Sequence, residues 1–138
     1  MQKSIKLLLA DGGEKEMQFR TTGTTSMRYR TLTGTELMDD LMRIYGLFNG
    51  GSEDESDEVQ IQQVTALLST GGDKVIERLA YIENCSAEGA DMSALDDDGY
   101  FDWLDQFEPL EILNNANFFL DLYMASRKGR SKLKKNKS

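Results

Sequence analysis

The residues in this chain best equipped for chemistry are its acids, and their spacing falls short of any familiar site. Asp96, Asp98, Gly99 and Asp105 partly follow a twelve-position calcium loop with Gly99 sixth. The first position then falls on Ala94, which cannot ligate, and the twelfth on Asp105, shorter than the usual bidentate Glu. The segment therefore reads as a solvated acidic loop, and no metal or cofactor is expected. There is no histidine, which removes the usual general base, the commonest zinc ligand and the usual sensor of physiological pH. Cys85 has no histidine to activate it and reads as an inert thiol. No two carboxylates fall into a recognisable acid–base pair. Gly71-Gly72-Asp73-Lys74 lacks the spacing and the hydroxyl of a phosphate-binding loop. The expectation is a protein that is not an enzyme.

Charge is distributed very unevenly. Seven of the 16 basic residues lie in the last twelve positions: Arg127, Lys128, Arg130, Lys132, Lys134, Lys135 and Lys137. Residues 1–126 carry nine basic and 24 acidic residues, net −15, while the tail carries +7. This division predicts a single domain over 1–126 and a basic, disordered tail over 127–138, too poor in apolar surface to offset its ordering entropy. Lysine and arginine neutralise phosphates without reading sequence, but the acidic body repels the same polyanion, so nucleic acid is not the expected partner. A single cysteine excludes an internal disulfide and fits a reducing compartment. No apolar run approaches the roughly 20 residues that span a bilayer. Lys3 and Lys6 precede an apolar run that extends only from Leu7 to Ala10, too short for a secretory signal. The expected location is cytoplasmic.

The elements that must position these residues follow from periodicity. Residues 2–9 and 14–20 alternate apolar and polar positions around Asp11-Gly12-Gly13, which predicts a β-hairpin with one apolar face. A short helix is expected from about Ser26 to Leu32, broken by Gly34, with Thr35 capping the next. There, Leu37, Leu41, Ile44, Tyr45 and Phe48 share one face and Asp39, Asp40 and Arg43 the other, up to Asn49-Gly50-Gly51. An acidic run, residues 53–58, precedes a helix carrying Ile61, Val64, Leu67 and Leu68, placing negative charge at a helix N-terminus. Gly71-Gly72 breaks the chain, and Asp73 can cap a helix carrying Val75, Ile76, Leu79, Ala80 and Ile82. Residues 86–99 read as a polar connection, and Tyr100 to Phe107 as a short aromatic helix. Tyr100, Phe101, Trp103 and Phe107 suit either a core or a partner surface. Pro109 fits the first turn of a last helix, where its missing N–H costs nothing. The fold class is α+β, mainly helical, with an N-terminal β-hairpin.

From Phe118 to Met124 that last helix is apolar nearly all round, interrupted only by Asp121. A small domain would struggle to cover every side of it, so Phe118, Phe119, Leu122 and Tyr123 are expected to meet another chain and to drive self-association. Arg127, Lys128 and Arg130 add cationic contacts to acidic surface on a neighbouring copy or on a client.

The order of motifs resembles a known family. Phe19-Arg20-Thr21-Thr22 leads into Met27-Arg28-Tyr29-Arg30, then Gly34 and Glu36-Leu37-Met38-Asp39-Asp40-Leu41. Leu79-Ala80-Tyr81, Trp103-Leu104-Asp105-Gln106-Phe107 and a Lys/Arg-rich end follow. This succession resembles the tail assembly chaperones of long-tailed bacteriophages and prophages of Gram-positive hosts, over residues 19–45 and 75–135. The acidic stretch at 50–58 lies outside the common pattern. The resemblance implies a non-enzymatic protein of the host cytoplasm that coats the phage tape measure protein, keeps it soluble and helps recruit major tail tube subunits. The competing reading is a small acidic regulatory adaptor that binds a nucleic-acid-binding protein. A tail chaperone gene lies between those for the major tail protein and the tape measure, so gene position separates the two.

The resemblance also implies two products from one gene, through programmed frameshifting near the end of the first reading frame. Lys134-Lys135-Asn136 can be encoded by AAA-AAA-AAC, a run on which ribosomes slip back by one base. The gene is then expected to hold an A-rich heptamer in its last ten or so codons with an overlapping frame beyond, and mass spectrometry of induced cells to show a minor, longer product. A gene lacking both features would rule the mechanism out.

Overall fold

The computed structural model describes residues 2–45, 57–89 and 97–125. The basic tail, the segment containing Asn49-Gly50-Gly51, most of the acidic run and the connection through Asp96 lie outside the described residues.

Strands β1 (Gln2–Leu8) and β2 (Glu14–Arg20) form an antiparallel hairpin in which Ile5 faces Met17 and Lys3 faces Phe19. Alternation sends Leu7, Met17 and Phe19 to the buried face, as the period-two pattern requires. The turn places Gly12 at φ +91°, and the Asp11 carboxylate accepts the Gly13 N–H at 2.8 Å. That is the local side-chain bond that suits Asp to turns.

Helix α1 (Thr25–Thr33) stops at Gly34, which adopts φ +80° and donates its N–H to the Arg30 carbonyl. Glycine enters this left-handed region without the Cβ penalty, so it ends helices well. Helix α2 (Leu37–Tyr45) buries Leu37, Leu41 and Ile44. Two details differ from expectation. Thr35 donates its hydroxyl to the Asp40 carboxylate at 2.6 Å, and Asp40 is buried rather than solvated. The Tyr29 hydroxyl, 2.7 Å from Asp40 Oδ2, explains the burial, because it gives the carboxylate a partner inside the fold.

Helix α3 (Asp57–Thr70) turns sharply through Gly71, at φ +76°, into α4 (Gly72–Glu88). Gly71, not Asp73, is the N-cap of α4. A Cβ at Gly72 would lie 2.9 Å from both Ile44 and Leu67, so a glycine here lets three helices approach closely. Helix α4 runs six residues beyond Ile82 into the stretch expected to be a polar connection. It contacts β2, α1, α2, α3, α5 and α6 and forms the centre of the molecule.

Helix α5 (Asp97–Asp105) is followed by a short extended segment that pairs with the hairpin: Leu9 bridges Phe107, and the Glu108 N–H donates to the Leu8 carbonyl. The last helix is not continuous from Pro109. Residues 108–111 form a tight turn closed by the Glu111 N–H donating to the Glu108 carbonyl, and Leu110 sits at φ +73°. Pro at the second position and positive φ at the third define a type II turn. The single-turn α6 (Glu111–Asn114) follows, and Asn115 then breaks the axis by donating its side-chain amide back to the Glu111 carbonyl. Residues 116–125 form α7.

Helix α7 also packs differently from expectation. Phe119, Leu122 and Tyr123 are buried in the core, and Phe118 is half-buried. The hairpin makes this possible: the Phe19 ring meets Phe118 edge-on at 5.8 Å and Phe119 at 4.9 Å. The domain thus covers the apolar run that seemed too long for it. Aspartate at Phe119 or Tyr123 would test the core, not self-association.

Leu110 is an exposed, γ-branched residue in a conformation that costs a non-glycine roughly 1–2 kcal/mol. Leu110→Gly should raise stability by about 0.5–1 kcal/mol, the extra freedom of glycine in the unfolded chain offsetting part of the relief. Urea unfolding followed by circular dichroism measures it, and a lower midpoint would contradict the account.

Candidate functional site

Where α1 ends and α2 and α4 begin, the three helices enclose an open cleft of about 340 Å³. Tyr29 and Thr33 reach it from α1, Asp40 and Arg43 from α2, and Lys74 and Arg78 from α4. The Asp40 carboxylate organises its floor, accepting from the Tyr29 hydroxyl, the Thr35 hydroxyl and, at 3.0 Å, Arg43. Burial first, and the adjacent Asp40 second, push the Tyr29 hydroxyl above the ordinary tyrosine range, so it stays a hydrogen-bond donor. The Arg78 guanidinium lies 4.8 Å over the Tyr100 ring, which holds it in place. Three of the nine basic residues in positions 1–126 thus line one cleft on a strongly acidic body.

The second feature is apolar. Helix α3 buries Val64 and Leu67 but turns Ile61 and Leu68 outward, at 65% and 48% exposure. Ile61 and Leu68 are seven apart and share one side of α3, next to Val64, so the apolar stripe of this helix runs from its buried side out to solvent. Met27 on α1 and Met42 on α2 are also exposed.

The other residues singled out from the sequence fall in varied places. Tyr100 and Phe107 are buried, Trp103 is half-buried and donates its indole N–H to Asn84 Oδ1 at 2.9 Å, and Phe101 is exposed. The aromatic segment is therefore mostly core. Asp98, Gly99 and Asp105 lie in helix α5, so that part of the acidic segment is not the open loop a calcium site needs. Among the described residues no cluster of three or more potential ligands is suitable for a metal. Cys85 is half-buried, and burial pushes its thiol up, away from the thiolate. Arg127, Lys128 and Arg130 lie outside the described residues. Among the described residues no helix is long and apolar enough to cross a membrane.

The sequence reading missed Glu83, which is fully buried on α4. Its Oε2 accepts the Thr21 hydroxyl at 2.8 Å, and its Oε1 has no hydrogen-bond partner among the described residues. Burial holds this carboxyl well above the ordinary glutamate range, and the Thr21 bond only partly opposes it. Glu77, nearer the surface, is raised to about 7 by burial and by the charge of Asp73.

No family model matches this chain, no curated protein matches it, and no solved structure matches it.

The raised carboxyls have a definite sign in pH. The unfolded chain loses these protons near pH 4.5, while the folded chain keeps them to higher pH, so their contribution to stability falls as pH rises above that point. Glu83→Gln keeps an acceptor for Thr21 and removes the ionisable group. Its urea midpoint should exceed that of the parent at pH 8, with the difference shrinking toward pH 4.5. A pH-independent difference would show that Glu83 has no raised pKa.

Proposed function

We propose that this chain is a tail assembly chaperone of the kind its motif order resembles. It binds the tape measure protein in the host cytoplasm, keeps it soluble and helps recruit tail tube subunits, with no chemical step. The outward face of α3 is the observation that supports this reading most. Ile61 and Leu68 stand two turns apart on a helix whose inner face is already packed, which suits the apolar stripe of a helical client. Complete burial of such side chains is worth about 1.5–3 kcal/mol each, enough to hold a client and little enough to release it. The net charge of −15 on residues 1–126 keeps unoccupied copies apart. Arg127, Lys128 and Arg130 then supply charge contacts to acidic stretches of the client or of a neighbouring copy. Within α7, Phe118 keeps partial exposure, while Phe119, Leu122 and Tyr123 serve the fold.

Co-expression with the tape measure protein of the same phage should bring that protein into the soluble fraction, bound to this chain. Ile61→Asp combined with Leu68→Asp should lower the recovered complex at least several-fold with circular dichroism unchanged. A tape measure protein equally soluble without the chain would overturn the proposal.

A further inference from the structure

The cleft between α1, α2 and α4 has features that the chaperone reading does not use. Arg43, Lys74 and Arg78 face it together with a single acid, Asp40, so the residues lining it carry a net charge of +2. Asp40 is already committed to Tyr29, Thr35 and Arg43, and two of the three cations are held in place, Arg43 by Asp40 and Arg78 by the Tyr100 ring. Lys74 is exposed and forms no ion pair among the described residues. Helix α4 opens at the same place: Gly71 lines the cleft and is the N-cap of α4, and among the described residues no side chain caps the helix. The first-turn N–H groups of this 17-residue helix carry partial positive charge and can donate hydrogen bonds to an anion.

We infer that this cleft binds a phosphate group, with Lys74, Arg78 and Arg43 supplying the charge and the start of α4 supplying backbone donors. A phosphate monoester carries about −1.5 to −2 at neutral pH, which matches the charge of the lining more closely than a lone carboxylate does. A guanidinium fork pairs well with two of its oxygens, and the lysine acts as a point charge. The volume of about 340 Å³ admits more than an isolated ion and fits a small phosphorylated molecule or a diphosphate. The exposed positions of Lys74 and Arg43 make the site accessible from solvent.

The test is titration of the full-length, isotope-labelled chain with inorganic phosphate, inorganic pyrophosphate and glucose 6-phosphate at fixed ionic strength, followed by amide NMR. Saturable shifts are expected for residues 71–75 and for Arg43, with pyrophosphate or glucose 6-phosphate binding more tightly than phosphate. Tighter binding of the sugar ester than of pyrophosphate would identify a phosphorylated metabolite, and the reverse a free diphosphate. Lys74→Glu and Arg78→Gln should each weaken binding at least tenfold, whereas Lys6→Glu on the hairpin should not. The inference is overturned if the shifts do not saturate, if sodium chloride reproduces them, or if Lys6→Glu is as damaging as Lys74→Glu. It is equally overturned if a hexaglutamate peptide binds the same residues more tightly than any of the three phosphates, because the cleft would then be a docking point for acidic protein segments.

Discussion

Helix α4 is buried at six consecutive positions, Leu79 to Asn84, and that enclosure governs the rest of the molecule. Successive residues of an α-helix are about 100° apart, so six in a row leave no side of the helix facing water. Every other part of the domain must then supply a wall. The hairpin, α1, α2, α3, α5 and α6 all contact α4. Gly72 lets the start of α4 press against Ile44 and Leu67, which draws α2 and α3 to the same end. Polar groups within such a helix need internal partners. Asn84 meets this requirement on two sides, donating to the Gln18 carbonyl of β2 at 2.8 Å and accepting from Trp103 of α5 at 2.9 Å. One side chain thereby fixes the hairpin, the central helix and the aromatic helix relative to one another.

The walls around α4 also decide which surfaces remain for partners. Helix α7 turns its aromatic residues inward because β2 offers Phe19 to receive them. Helix α3 leaves Ile61 and Leu68 exposed beside the buried Val64 and Leu67. The basic cleft opens where α1, α2 and α4 start or end, and its cations come from two of them, Arg43 from α2 and Lys74 and Arg78 from α4. An apolar patch and a cationic cleft, two chemically distinct surfaces, thus lie on one acidic body.

Much of the fold was legible in the sequence. The hairpin followed from Ile5, Leu7, Met17 and Phe19, and the end of α1 from Gly34. The helical spacing of Val75, Ile76, Leu79 and Ala80 marked α4, though not its continuation to Glu88: Glu83 and Asn84 look like solvent residues until their partners Thr21, Gln18 and Trp103 on other elements are known. The break at Asn115 depends on a side-chain amide competing for a backbone carbonyl, which leaves no trace in hydrophobic periodicity. The charge of Asp40 suggests the wet side of α2, yet it lies three residues after Leu37 and four before Ile44, at the edge of the buried face, where Tyr29 and Thr35 supply its partners. The cleft was least legible, since Arg43, Lys74 and Arg78 form no contiguous motif. The one available signal was Lys74 and Arg78 four apart at the start of α4, in a stretch of chain otherwise poor in basic residues.

The pairing of the hairpin with the segment near Phe107 has a consequence for synthesis on the ribosome. The Leu8 N–H donates to the Glu111 carboxylate, a bond between residues 103 apart in sequence. The buried face of the hairpin also waits for Phe119. At about 5–20 residues per second, the first two strands are made roughly 5 to 20 seconds before the residues that cover them. During that interval Leu7, Met17 and Phe19 form an uncovered apolar surface on a two-stranded ribbon, which is marginally stable alone. Completion of the domain therefore depends on nearly the whole chain being present, and a nascent copy exposes adhesive surface that a finished copy hides.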